Sequence, residues 1–144
     1  MDELRFVTQG RYLGIISLLY RPFLYYAVHH HDRSLEINHI IEPLVRKALA
    51  NCAGCKAGVV IDHRHHGTWF ACRQVTSWAL LLLAARKSGL ISWDQPWFGS
   101  DLNIDFAHAF QVSVDTLRYW EAESPDIVKA RETIEALRDE IEAQ

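Results

Sequence analysis

No charge of one sign dominates this sequence. Fifteen Lys and Arg stand against eighteen Asp and Glu, a net charge of −3 with a pI near 6.2. A free-standing nucleic-acid binder ordinarily carries a basic face, so no direct contact with nucleic acid is expected. No apolar run reaches bilayer length either. The most apolar one, Gln74 to Ala85, is uncharged over twelve residues, whereas a helical span needs about 20; no membrane partner is expected. The opening MDELRFVTQG is acidic and polar, unlike a secretory signal. Cysteine is scarce: three residues, an odd number without a signal, point to a reducing compartment. No stretch alternates in the manner of a strand, and Val59, Val60 and Ile61 are too few to make one. The sequence contains no phosphate loop, dinucleotide fingerprint or H-E-x-x-H. Ser77 and Ser113 lack the G-x-S-x-G turn of a nucleophile elbow. An enzyme is not expected.

What is present is apolar and aromatic. Hydrophobic residues make up 49% of the 144-residue chain and charged residues 23%, a globular rather than disordered balance. Five tryptophans, five tyrosines, six phenylalanines and eight histidines are many for this length. With no repeat and no low-complexity linker, residues 1–144 read as a single all-α domain of about five packed helices. Residues 4–30 form the first helix, with Tyr12, Ile15, Ile16, Leu19, Phe23 and Tyr26 on one face at helical spacing. Leu13, Tyr20 and Leu24 point elsewhere and are also apolar, so this helix needs cover on two sides. Pro22 either kinks it or starts a second helix at Arg21. His29, His30, His31 and Asp32 read as a solvated helix end.

Ser34 is a plausible cap for the second helix, whose apolar positions are Ile37, Ile40, Ile41, Leu44, Val45, Ala48, Leu49 and Cys52. Pro43 interrupts it or marks its start, and Gly54 and Gly58 loosen its end. The central element is the helix within Asp62–Gly89, apolar all round and therefore buried on most faces. Arg86 and Lys87 suit its C-terminal dipole, and Gly89 the left-handed position beyond it. An aromatic loop, Leu90 to Ser100, either packs back on the bundle or lines a pocket mouth. Asp101 opens the fourth helix, with a buried stripe of Phe106, Phe110, Val114, Leu117 and Trp120. Ser124, Pro125 and Asp126 give a strong start to the fifth. Its seam is Ile127, Ala130, Ile134, Leu137 and Ile141, with charge pairs Arg131–Glu135 and Glu135–Arg138 on its other faces. Trp69, Trp78, Leu81, Leu82, Phe110 and Trp120 are the expected structural core.

Three segments in order carry a resemblance: RYLGIISLLYRPFLYYAVHH (Arg11 to His30), HRHHGTW followed by an ALLLLAA helix and SG, and LRYWEAESPD (Leu117 to Asp126). Together they resemble the C-terminal portion of the fungal-specific transcription factor domain, the middle homology region of fungal binuclear zinc-cluster factors. The resemblance implies an all-helical regulatory portion of a longer nuclear factor, acting through helix packing and partner or ligand binding. The expected partners are the remainder of the parent factor or a second copy, with a small-molecule effector as a further candidate. The family's zinc belongs to a six-cysteine DNA-binding module that this chain does not contain, so no cofactor is expected here. In the family the first segment follows many other helices, which would explain its greasy second side.

The residues that invite chemistry are Cys52, Cys55, His63, His65 and His66, since thiolates and imidazoles are zinc's preferred ligands. Seven residues separate Cys55 from His63, and one separates His63 from His65. A zinc finger places about twelve between the pairs and about three to five between the histidines. The better reading is core cysteines beside a polar histidine turn. The rival is a small metal- or thiol-dependent enzyme using Cys52, Cys55, His63 and His65. Arg11, Arg21, Arg64 and Arg73 lie in apolar surroundings, with Asp62, Glu121, Glu123 and Asp126 as available acids. Arg21 and Arg73 are the candidates for interhelical ion pairs or for holding an anionic effector.

Overall fold

A computed structural model describes residues 3–30, 35–53, 67–94 and 104–144. The fold is all-α, with no strand among the described residues. Helix α1 spans Glu3–His30, α2 Leu35–Ala53, α3 Thr68–Lys87, α4 Phe106–Trp120 and α5 Pro125–Glu142. A single 3-10 turn, Glu121–Glu123, links the last two. α1 and α2 form an antiparallel hairpin: Asn51 Nδ2 donates to the Leu13 carbonyl at 3.2 Å, and Lys47 Nζ lies 5.7 Å from the Tyr20 ring centre. α3, α4 and α5 pack on one another, and α2 and α3 join the two groups.

Every helix contributes to one core. Leu24 of α1, Val45 and Leu49 of α2, Leu82 of α3, Val114 and Leu117 of α4 and Ile134 of α5 are fully enclosed. Each such leucine or isoleucine is worth about 1.5–3 kcal/mol over leaving it in water. Of the expected core, Trp78, Leu82, Phe110 and Trp120 are buried and Leu81 is half-buried against the cluster. Trp69 corrects the expectation: it is 45% exposed. It sits in the first turn of α3, where Thr68 and Cys72 take the inward positions, and its ring is covered by Arg73 at 4.5 Å and Phe70 at 5.4 Å.

The helix ends follow local chemistry. Past α3, Leu90 N–H donates to Ala85 at 2.9 Å and Gly89 N–H to Arg86 at 3.1 Å. That is the paired closure of a helix terminus, and it needs the φ of +78° that Gly89 adopts. Asp105, rather than Asp101, caps α4: its Oδ1 accepts from His108 N–H at 2.8 Å. Asp101 lies outside the described residues. Ser124 caps α5 ahead of Pro125, accepting from Asp126 N–H at 3.3 Å. The described part of the aromatic loop packs back on the bundle, with Ile91 buried and the Trp93 ring tilted 40° against Phe110 at 5.8 Å.

α1 differs most from expectation. It is one helix straight through Pro22, and α2 likewise continues through Pro43. Both prolines are exposed. Pro22 frees the carbonyl of Leu18, which lies on the open side where water can satisfy it. Cover was expected on two sides of this helix; of the first apolar face Ile16, Phe23 and Tyr26 are half-buried, and the enclosed residues lie on the other. Leu24, Ala27 and Ser17 are buried, with Leu13 and Tyr20 half-buried beside them, while Tyr12, Ile15 and Leu19 face out. On α2, Ile40 is 76% exposed rather than inward. Ser34, Gly54 and Gly58 lie outside the described residues.

Candidate functional site

Cys52 is the one member of the cysteine–histidine set among the described residues; Cys55, His63, His65 and His66 lie outside them. It is 2% exposed and belongs to the core cluster, as do Leu49 and Ala53 of α2. Burial pushes its thiol from the ordinary 9.0 up to about 12, against a smaller opposing pull from Arg21. Cys72, buried on α3, is pushed up to about 11 by the same cause. Neither thiol is poised as a thiolate, which is the nucleophilic and metal-binding form. No group of three or more His, Cys, Asp or Glu placed to hold a metal occurs among the described residues.

These thiols set an alkaline limit. Both folded values lie above the ordinary one, so the stability gained by keeping the thiols neutral is fully present below pH 9.0. It is lost as pH climbs towards about 11 for Cys72 and about 12 for Cys52. The denaturant midpoint of the parent chain is therefore expected to fall from pH 9 upward, more steeply than that of a Cys52→Ala variant. Equal slopes would show that Cys52 is not enclosed as described.

The two singled-out arginines are exposed and hold no carboxylate among the described residues. Arg21 donates to Ser77 Oγ across the α1–α3 contact, and Arg73 lies over the Trp69 ring. Glu121 pairs with Arg131 at 2.6 Å instead. Arg131 also reaches Glu135 at 2.5 Å, and Arg118 reaches Glu135 at 2.9 Å, so the charges bind α4, the 3-10 turn and α5 together. Hydrogen bonds to Glu121 and then Glu135 hold the Arg131 guanidinium further into its charged form. Arg138 turns to Asp139 at 2.9 Å rather than to Glu135, which Arg131 and Arg118 already occupy. Arg131, Glu121 and Glu135 are part-buried while Arg118 and Asp139 are exposed; these are structural pairs, and the exposed ones are worth little singly.

Among the described residues, the packing leaves an apolar face open on α1. Tyr12, Ile15, Leu18, Leu19 and Tyr25 are each 57–66% exposed on the side away from α2 and α3. Scattered exposed apolar residues are ordinary. Five on one helix face are not, and at roughly 100–150 Å² apiece they present on the order of 600 Å², the upper end of what a monomer leaves in one patch. From Thr8 to His30 there is no Asp or Glu, so no carboxylate would be buried if the face were covered. The sequence reading found a second apolar side on this helix but assigned it to Leu13, Tyr20 and Leu24, which turn inward. The available signal was side-chain size: Gly14, Ser17 and Ala27 mark the side where neighbours approach closely. A Cβ on Gly14 would stand 3.4 Å from Gln74 Oε1 of α3.

No helix among the described residues is long and apolar enough to cross a membrane. Comparison with family models, with curated proteins and with solved structures finds no match to this chain.

Proposed function

We propose that this chain is a regulatory, protein-binding module of the fungal transcription factor type, working in the nucleus as part of a longer factor. The observation that carries the reading is the open apolar face of α1, a surface suited to another helix rather than to a small substrate. The three ordered sequence segments support it as a resemblance. The exposed pair Arg21 and Arg73 is where a small anionic effector would be held in this reading, each guanidinium being free of carboxylates among the described residues. The rival, a thiol- or metal-dependent enzyme, is disfavoured by the buried, protonated thiol of Cys52.

The test is to place the chain between a heterologous DNA-binding module and an activation segment. Reporter output is expected to fall severalfold relative to the same fusion without the chain. A Leu18→Glu variant, which alters only an exposed position, should release the inhibition. Unchanged output, together with stoichiometric zinc in purified protein, would favour the enzyme instead.

A further inference from the structure

We infer that the open face of α1 is an interface between two copies of this chain, paired antiparallel about the midpoint between Leu18 and Leu19. This deepens the reading of a protein-binding module and rests on it. The exposed residues are symmetric in height about that midpoint. Leu18 and Leu19 flank it, Ile15 and Pro22 lie equally far on either side, and Tyr12 and Tyr25 lie equally far beyond them. All six are exposed.

A two-fold pairing uses the same patch on both copies, so the patch must match itself when reversed. This one does. With the helices antiparallel, the paired leucines of both copies gather at the centre. Each Ile15 comes level with the partner's Pro22, and each Tyr12 with the partner's Tyr25. Sliding the register by three residues would bring Ile15 level with the partner's Tyr25 but set Arg11 level with its His29 and Leu19 level with its Arg21. In the symmetric register Arg11 instead lies beside the partner's Tyr25–Tyr26 level, where an aromatic ring can take a guanidinium on its face.

The area is of the right size. About 600 Å² from the five large side chains, plus Pro22 among them and Arg11 at the margin, approaches the roughly 800 Å² per partner of a standard interface. Tyrosine at both ends and leucine in the middle give the aromatic and aliphatic anchors that interfaces favour. Nothing charged is trapped, because the segment lacks acids and its arginines, Arg11 and Arg21, stay exposed at the flanks.

The experiment is light scattering of the full chain at micromolar concentration, with two kinds of variant. The parent is expected to be a dimer. Leu18→Glu is expected to be a folded monomer, its helical circular dichroism unchanged because position 18 is 66% exposed. Geometry is read by oxidative cross-linking. In the antiparallel pair a Leu18→Cys chain sits at the two-fold axis and links to its copy. A Tyr12→Cys chain does not, because its two thiols stand about 20 Å apart along the helix, at about 1.5 Å per residue. Efficient linking by Tyr12→Cys would mean a parallel pair and overturn the inference. So would a parent dimer untouched by Leu18→Glu. A monomeric parent that still inhibits the tethered reporter would leave the regulatory reading standing, and would mean that the face meets a different protein. A dimer without any reporter effect would do the reverse.

Discussion

Truncating Leu82 to alanine should cost about 2–5 kcal/mol, the range for deleting a fully enclosed leucine side chain from a core that can only partly collapse. Leu82 has no exposed surface and sits on α3, which among the described helices contacts α1, α2, α4 and α5. A void there loses partners from both halves of the bundle. Three leucines in succession provide an internal scale, because successive residues on a helix point about 100° apart. Leu82 is enclosed, Leu81 is half-buried and Leu80 is 40% exposed. Alanine at 82 should therefore destabilise most, at 81 less, and at 80 least. For a chain of this size a loss of a few kcal/mol lowers the melting temperature by roughly 5–15 °C. The three melts must be run at one protein concentration, since association adds to apparent stability. Equal losses at all three positions would mean that α3 is not oriented as described.

The parts of this fold that were legible in the sequence are those where local chemistry and tertiary packing agree. α5 is an example: Ser124 and Pro125 set its start, and its spaced apolar residues can face only one way because the rest of its surface is charged. α4 is similar, its stripe from Phe106 to Trp120 being buried throughout. The loop after α3 was left open between packing and a pocket mouth; Trp93 turns in where Phe110 offers a ring to pack against, and Ile91 is buried in the core cluster.

α1 was not legible in the same way. Spacing put Tyr12, Ile15 and Leu19 on one apolar face and Leu13, Tyr20 and Leu24 on another without choosing between them, whereas the hairpin with α2 needs close approach and takes the side bearing Ser17, Leu24 and Ala27. When both faces of a helix are apolar, periodicity has no contrast to report, and only the partner decides. The same lack of contrast hid the candidate site, since an unpartnered face looks in sequence like a second core face. The prolines misled for a related reason. Pro22 and Pro43 argue for breaks, but each stands on an exposed side where its cost is smallest.

Which side of α1 faces inward therefore decides the rest, for both the regulatory face and the pairing of two copies depend on it. The most direct measurement compares the unfolding free energies of Leu24→Ala and Leu19→Ala. Both are made in a Leu18→Glu background so that α1 carries no second copy. Leu24 is 1% exposed and lies in the core cluster, while Leu19 is 60% exposed. Loss of the Leu24 side chain is expected to cost about 2–5 kcal/mol, and loss of the Leu19 side chain about 0.5 kcal/mol or less. The opposite order, with Leu19→Ala the damaging change and Leu24→Ala nearly silent, would turn α1 over. The residues proposed as an interface would then be core, and the account of this chain as a binding module would fail with them.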